Sequence, residues 1–218
     1  MQSGLKLFSY WRSSSAYRVR IALNLKGLDY ELIPIHLVRD GGQQHHPEFR
    51  KLNPQGLVPV LTDGGRVFRQ STAICEYLDE SYPTRPLLPA DIRSRARVRA
   101  LTHLIGCDVQ PLNNLRVLMY LEKELNVTGD RKTHWYRYWV EEGFTAFEEL
   151  LSESPSTGEF CEGDDPTMAD AFLVPQVYNA LRYEIDLKPY PELQRVYKNC
   201  LSMDEFQRAA PEAQPDAS

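Results

Sequence analysis

Short apolar runs and helically spaced apolar positions alternate over the first part of the chain. Residues 5–9 form a short apolar run that predicts a strand. The next apolar positions have helical spacing, which predicts a helix that begins at one of the serines at 13–15 and ends at Gly27. Residues 30–37 predict a second strand. Two strands that are joined by one helix indicate a parallel, right-handed βαβ unit.

The alternation continues with a second group of helices and strands. Residues 40–46 are rich in Gly and Gln and predict a loop, and residues 49–52 predict a short helical turn after it. Residues 58–61 predict a third strand, and the Asp-Gly-Gly turn at 63–65 leads into a fourth, as in a β-hairpin. Ser71 is predicted to cap the helix that follows. The order β-α-β-α-β-β-α is that of a thioredoxin-like fold.

A proline-rich segment then marks a domain boundary. Residues 82–91 contain three prolines, which stop helices and stiffen the chain. We therefore predict a thioredoxin-like α/β domain at residues 1–82, a linker at 83–91 and a second domain at 92–218.

Helical periodicity dominates residues 92–218, where strand signals are nearly absent. Helices are predicted at 134–151 and from Thr167, because Thr167 and Asp170 form a capping box before an apolar run. Residues 211–218 are polar and are predicted to fray. The apolar stripe that should face the core comprises Leu101, Leu104, Ile105, Leu112, Leu115 and Met119. The second domain is thus predicted to be an all-helical bundle.

Composition and charge narrow the possible function classes. Hydrophobic residues make up 42% of the chain and charged residues 25%, a globular balance that can bury a core. The net charge is −5, whereas proteins that bind a nucleic-acid backbone usually carry a basic face. The arginines at 93, 95, 97 and 99 are predicted to lie on two solvated faces of a helix. No stretch approaches the length of a membrane span and residues 1–11 do not resemble a signal peptide, so we expect a cytoplasmic protein.

The cysteines and histidines indicate neither a disulfide scaffold nor a metal site. The cysteines at 75, 107, 161 and 200 are far apart and form no CxxC pair, so we expect reduced thiols. His45 and His46 are adjacent, so their side chains diverge, and no third ligand has a suitable spacing. We therefore predict no metal.

Residues 12–18, with the sequence RSSSAYR, are the clearest candidate for chemistry. They lie where the first strand joins the first helix, and a serine there can be a helix N-cap and nothing more. The free N–H groups and the positive dipole end of a helix also stabilise an anion. A thiolate that accepts a hydroxyl hydrogen bond at this position would have a lowered pKa. Because the segment has no cysteine, the thiol would have to belong to a ligand.

Residues 13–23, with the sequence SSSAYRVRIAL, resemble the SSCxxRVRIAL signature of zeta-class glutathione transferases. The resemblance implies a glutathione transferase fold, glutathione as the cofactor and a homodimer. Ser15 departs from the family, which usually has cysteine at this position. The other segments that carry the resemblance, which covers nearly the whole chain, are Asp40–Gln44, Leu52–Pro54, Val58–Pro59, Gln70–Ser71, Gln110–Leu112, Asn114–Leu115, Val174–Val177 and Asp186–Pro191.

The same resemblance assigns roles to individual residues. It places the catalytic hydroxyl at Ser13 or Ser14, and it makes Arg12 and Arg182 candidates for holding a substrate carboxylate. In the family, the bond at the position of Val58–Pro59 is cis. The glutathione-binding residues that the resemblance implies are Ser13, Ser14, Gln44, Val58, Pro59, Gln70, Ser71, Gln110 and Asn114. Without the resemblance, the same residues could equally be helix-capping serines, amides in solvated loops and arginines on the surface.

The implied activity is the glutathione-dependent cis–trans isomerisation of maleylacetoacetate in tyrosine breakdown. Isomerisation of maleylpyruvate, a shorter acid with the same chemistry, is the nearest alternative. A general conjugating or dehalogenating transferase, which consumes glutathione, is a second one. A non-catalytic module for protein assembly is a third, and the intact serine motif argues against it.

Overall fold

The computed structural model describes residues 4–217 and divides them into two units. The first unit comprises the chain up to Leu87 together with the chain from Leu201 on. The second unit is Leu88–Cys200. Among the described residues, no helix is both long enough and apolar enough to cross a membrane.

The first unit is built on a mixed four-stranded sheet. The strand order is β2-β1-β3-β4, with β1 parallel to β2 and antiparallel to β3, and β3 antiparallel to β4. Its strands are β1 (Lys6–Ser9), β2 (Glu31–Pro34), β3 (Val60–Asp63) and β4 (Arg66–Arg69), and its helices before residue 87 are α1 (Ser14–Leu25), α2 (Pro47–Leu52) and α3 (Ser71–Ser81). The predicted order of elements and the thioredoxin-like fold are confirmed.

Local sequence explains where these elements begin and end. Ser13 is the N-cap of α1, and its side chain accepts a hydrogen bond from the backbone N–H of Ala16 at 3.2 Å. Gly27 follows the helix with φ of +65°, a left-handed conformation that glycine adopts without steric cost. Strand β2 is shorter than predicted and ends at Pro34, which has no N–H to donate.

The prediction that Ser71 caps α3 is wrong. Ser71 is the first residue of the helix, and the N-cap is Gln70, whose side chain makes no capping hydrogen bond. The Ser71 hydroxyl instead accepts a hydrogen bond from Arg18 of α1, at 3.2 Å from Nη1. The side chain is therefore used between two helices and not within one.

The second unit is built from helices, as predicted. Its capping box is confirmed, because the Thr167 side chain accepts from the N–H of Ala169 while the Asp170 carboxylate accepts from the N–H of Thr167. The helices are α4 (Ile92–His103), a π-helix (Leu104–Val109), a 3₁₀-helix (Gln110–Asn113), α5 (Leu115–Lys123), α6 (Gly129–Ser152), α7 (Met168–Arg182) and α8 (Pro191–Leu201).

The predicted apolar stripe is only partly correct. Leu101 and Ile105 are fully buried, but Leu115 and Met119 are 42% and 41% exposed. The stripe assumed one continuous helix, whereas Asn114 has an extended backbone, with ψ of 146°, between the 3₁₀-helix and α5. This break rotates α5 relative to the preceding turns, so the periodicity does not carry across it.

The prediction of two solvated arginine faces on α4 is wrong at Arg97. Its side chain is only 21% exposed, and its guanidinium forms a salt bridge with Glu162 and donates to the carbonyls of Cys161 and Leu150 and to the hydroxyl of Thr157. Arg97 therefore ties α4 to the α6–α7 connection, which lies more than fifty positions away in the sequence.

The segment after Leu201 packs against α1 and is not frayed over residues 211–217. It contains α9 (Asp204–Ala209) and a 3₁₀-turn (Pro211–Ala213). Asn24 of α1 donates to the carbonyl of Glu205 at 2.8 Å, and the buried Gln214 side chain donates to two carbonyls of its own segment. This segment, predicted to belong to the helical domain, groups instead with the first unit because α9 lies along α1. Ser218 lies outside the described residues.

Candidate functional site

The serines at the start of α1 form the centre of the candidate site. Ser13 is half-buried and Ser14 is buried. The backbone N–H of Ser13 donates to the carbonyl of Tyr10 at 2.9 Å, which fixes the N-cap to the residue that follows β1. The cap uses a lone pair of the Ser13 oxygen, so the hydroxyl hydrogen is still able to donate. The helix therefore presents a hydroxyl donor beside its positive dipole end.

Arg18 links this end of α1 to the start of α3. Its side chain is almost completely buried, and Nη1 donates to the Ser71 hydroxyl at 3.2 Å. Burial raises the pKa of the neighbouring Cys75 thiol to about 12, although the charge of Arg18 acts in the opposite direction. This contact was not predicted, although charged residues at positions 18 and 20 of an otherwise apolar helix are a signal that they are paired in the core.

Gln70 has a left-handed backbone conformation directly before α3. Its φ is +69°, which is uncommon for a residue other than glycine. Its side chain donates to the amide oxygen of Gln55 at 2.7 Å. The Gln70–Ser71 pair therefore lies where strand β4 meets the N-terminus of α3.

Gln44 is buried in the loop after β2. Its Nε2 atom donates to the carbonyl of Leu37 at 3.2 Å, whereas its Oε1 atom is buried and accepts no hydrogen bond from the described residues. Gly42, with φ of +96°, leaves room for this side chain, because a Cβ there would lie 2.5 Å from Gln44 Nε2. An unpaired buried acceptor costs about 1–3 kcal/mol, so a donor that reached this amide oxygen would stabilise the loop.

The Val58–Pro59 peptide bond is cis, as the resemblance implied. Val58 is buried in an apolar cluster with Tyr10, Phe49 and Val60. It precedes β3, which begins at Val60, so its peptide groups lie outside the paired part of the sheet. They are therefore not used in the hydrogen bonds of the sheet.

The remaining predicted site residues belong to the second unit, and their roles stay predictions. Gln110 is half-buried at the start of the 3₁₀-helix, and Asn114 accepts from the N–H of Arg116 at 3.1 Å as the cap of α5. Arg182 is exposed at the end of α7, where Nη1 lies 3.4 Å from Oδ1 of Asn179.

The cysteines are free thiols, as predicted. Burial raises the pKa of both Cys161 and Cys200, and the carboxylate of Asp170 raises them further. Cys107 is exposed. Within residues 4–217, no group of three or more His, Cys, Asp and Glu side chains is arranged to hold a metal ion.

Comparison with known proteins places these features in a family. Residues 7–86 match the family model described as glutathione S-transferase, N-terminal domain. The chain is 50% identical over 213 residues to a probable maleylacetoacetate isomerase of Vibrio cholerae, and the match covers 98% of each chain.

Solved structures give the same result. A holo structure of maleylpyruvate isomerase, a bacterial zeta-class glutathione transferase, matches with a TM-score of 0.95 and 47% identity over 98% of this chain and all of that one. A maleylacetoacetate isomerase of Anaeromyxobacter dehalogenans, with dicarboxyethyl glutathione and citrate in its active site, matches with a TM-score of 0.87 and 41% identity over 100% and 96% of the two chains. With near-complete coverage at this identity, the chain belongs to the zeta class of the glutathione S-transferase family.

Proposed function

We propose that the protein is a cytoplasmic, glutathione-dependent cis–trans isomerase that converts maleylacetoacetate to fumarylacetoacetate. The observation that carries the proposal is the end-to-end match to a probable maleylacetoacetate isomerase at 50% identity, in a chain that retains a serine N-cap at the start of α1. Maleylacetoacetate has a cis double bond flanked by carbonyl groups, and rotation about that bond is prohibitive while it remains double. Catalysis therefore requires a nucleophile that removes the double bond reversibly.

The described residues fit glutathione as the source of that nucleophile. Glutathione has a peptide-like backbone that carries N–H groups, and the buried, unpaired Oε1 atom of Gln44 is able to accept one of them. We assign the cysteinyl backbone to Val58 and Pro59 and the γ-glutamyl carboxylate to Gln70 and Ser71 at the start of α3. Gln110 and Asn114 complete the proposed contacts on the basis of the resemblance.

When bound, glutathione supplies a thiolate that adds reversibly to the double bond and leaves a single bond free to rotate. Ser13 would hold the negative charge on sulfur through its hydroxyl hydrogen, with Ser14 and the dipole of α1 beside it. The dicarboxyethyl glutathione in the Anaeromyxobacter relative has the carbon–sulfur bond that such an addition creates.

The acid itself needs cationic partners and hydrogen-bond donors. We assign its carboxylates, and the negative charge that develops on its keto oxygen, to Arg12, Arg182 and Gln110. The net charge of −5 does not oppose this role, because the local field around the acid decides binding.

Maleylpyruvate is the second candidate substrate. The maleylpyruvate isomerase structure matches this chain with a TM-score of 0.95, so the fold favours neither acid. We expect both acids to be isomerised, with the higher kcat/KM for maleylacetoacetate. Assays of both acids with and without glutathione test the proposal, and glutathione must be recovered unchanged. Stoichiometric loss of glutathione would instead indicate a conjugating transferase, and no turnover of any electrophile would indicate an assembly module.

Glutathione is expected to stabilise the folded protein by mass action. At a hundredfold excess over its dissociation constant the gain is about 2.7 kcal/mol, which for a chain of this length corresponds to a rise in Tm of about 5–10 °C. Cysteinylglycine is the matched control, because it lacks the γ-glutamyl arm assigned to Ser71 and should give a smaller shift. An unchanged Tm at saturating glutathione would contradict the assigned site.

We also propose that the protein is a homodimer. The resemblance to the zeta class implies this state, and α5 and α6 carry exposed large apolar side chains that favour a covered surface. These side chains are Leu115, Met119, Tyr120 and Tyr138. Sedimentation equilibrium at micromolar concentration should give twice the monomer mass, and a purely monomeric species would refute the proposal.

A further inference from the structure

Both backbone polar groups of Trp11 are held by side chains that come from other parts of the first unit. Its N–H donates to Oδ2 of Asp216 at 3.0 Å, across 205 positions in the sequence. Its carbonyl accepts from Nη2 of Arg20 at 2.9 Å. Trp11 is therefore fixed on one side by residues that follow α9 and on the other side by α1.

Arg20 joins the same loop to α9 a second time. Its side chain is fully buried, Nε donates to the carbonyl of Ala209 at 2.9 Å, and Nη1 donates to the hydroxyl of Ser9 at 3.2 Å. A buried guanidinium whose donors are used in a fixed fork holds its partners in one geometry. The loop between β1 and α1 is thus clamped to residues 204–217.

The clamped loop carries two residues with different proposed roles. The guanidinium of Arg12 lies 5.4 Å from the centre of the Trp11 ring, within the range of a cation–π contact. Ser13 is held independently, because its N–H donates to the carbonyl of Tyr10 and its hydroxyl caps α1. A shift of Trp11 would therefore move Arg12 and leave Ser13 in place.

The contact between Asp216 and Trp11 leaves buried polar atoms without hydrogen-bond partners among the described residues, so stability alone does not explain it. The second oxygen of Asp216, Oδ1, is buried and accepts no hydrogen bond from the described residues, and the indole N–H of Trp11 is likewise buried without an acceptor among them. Each unpaired buried group weakens the folded state. Proteins accept such local costs mainly where a function requires them.

We propose that Asp216 is a positioning residue that, by holding Trp11, sets the direction in which Arg12 presents its guanidinium to the substrate carboxylate. This inference rests on the proposed function of Arg12 as a partner of the acid. It adds the segment after α9 to the parts of the chain on which catalysis depends.

Asp216→Ala should lower kcat/KM for maleylacetoacetate by about tenfold, chiefly through KM, because misplacing a binding group by about 1 Å can cost up to 100-fold. The pKa of the bound glutathione thiol and the melting shift caused by glutathione should not change, since Ser13 is held separately. Asp216→Asn should restore most of the activity, because the amide oxygen still accepts from Trp11. Asp204→Ala removes an exposed carboxylate from the same segment and is the matched control.

A double-mutant cycle with Arg12→Ala decides between a positioning and a general structural role. If Asp216 acts through Arg12, then Asp216→Ala should cause no further loss of kcat/KM in the Arg12→Ala background. If the losses of kcat/KM in Asp216→Ala and Arg12→Ala add up in the double variant, the inference is overturned. A shift in the pKa of the bound glutathione thiol in Asp216→Ala would also overturn it. An unaltered KM in Asp216→Ala would do the same while leaving the isomerase assignment intact. Failure of the wild-type protein to isomerise either acid would instead refute the proposed function.

Discussion

Ser13→Ala should slow isomerisation more than tenfold and raise the pKa of the bound glutathione thiol. The variant removes the hydroxyl that we assign to the thiolate, and losing a hydrogen bond to an anion costs about 1.5–3 kcal/mol. Each 1.4 kcal/mol corresponds to about a factor of ten in rate. The two quantities are measured by steady-state kinetics and by titrating the ultraviolet absorbance of the thiolate in the complex.

The same serine caps α1, so the loss of the cap must be separated from the loss of the donor. Replacing an N-cap serine by alanine costs about 0.5–2 kcal/mol of stability, whereas replacing it by glycine costs only a few tenths. Ser13→Gly therefore removes the hydroxyl and nearly preserves the fold. Equal rate losses in Ser13→Ala and Ser13→Gly, with different unfolding free energies, would identify the hydroxyl hydrogen as the catalytic feature.

The neighbouring serines supply the remaining controls. Ser15→Ala should keep nearly full turnover, because Ser15 departs from the signature that the chain otherwise resembles, which implies that this position tolerates change. Ser14→Ala tests the alternative that the adjacent, buried hydroxyl contacts the sulfur. An inactive Ser15→Ala together with an active Ser13→Ala would show that the thiolate contact is wrongly assigned.

The first unit could be predicted well because its signals are local. The order of strands and helices follows from runs of apolar residues a few positions long, and the cap at Ser13 depends on a contact three residues away. The same holds for the box at Thr167 and Asp170 in the second unit. Hydrophobic periodicity and capping chemistry are sufficient to predict an element when the contacts that form it join residues only a few positions apart in the sequence.

Periodicity was insufficient where the chain leaves regular geometry. The stripe is correct at Leu101 and Ile105, but it fails at Leu115, because the helix changes to a π-helix at Leu104, then to a 3₁₀-helix, and is broken by the extended Asn114. Pro111 lies in the 3₁₀-helix and proline is a common cause of a bend, but the apolar pattern alone contains no measure of the rotation that a bend introduces.

Long-range polar contacts were also beyond sequence reasoning. Arg97 was expected to be solvated and the segment after Pro211 was expected to fray, because both are polar. The partners that bury them, Glu162 for Arg97 and Trp11 for Asp216, are distant in the chain. A polar side chain is buried when the fold brings a hydrogen-bond partner next to it. When that partner is distant in the sequence, burial of the side chain cannot be inferred from the spacing of residues.

Asp170→Ala should lower the free energy of unfolding by about 3 kcal/mol or more, because it leaves buried donors without acceptors. The carboxylate is completely buried and accepts from the N–H of Cys161 at 2.9 Å, and from the N–H and hydroxyl of Thr167 at 2.7 and 2.8 Å. Urea denaturation measures the change. Thr167→Ala is the matched control, since it removes the cap but retains the carboxylate and should cost only about 1 kcal/mol.

The pH dependence of this difference is a sharper test of the role of Asp170. Burial raises its pKa above the ordinary value of 3.8, although the hydrogen bonds from Cys161 and Thr167 act in the opposite direction. At a pH between the ordinary pKa of 3.8 and the higher pKa of Asp170 in the folded protein, the folded protein binds more protons than the unfolded chain. The stability that Asp170 contributes is therefore complete below pH 3.8 and is lost as the pH rises through the pKa of the folded state. The difference in unfolding free energy between the wild type and Asp170→Ala should therefore widen as the pH is lowered into this window. Comparing the variants at each pH cancels the titration of all groups that they share. If the difference in unfolding free energy narrows on acidification, the hydrogen bonds to Asp170 lower its pKa by more than burial raises it.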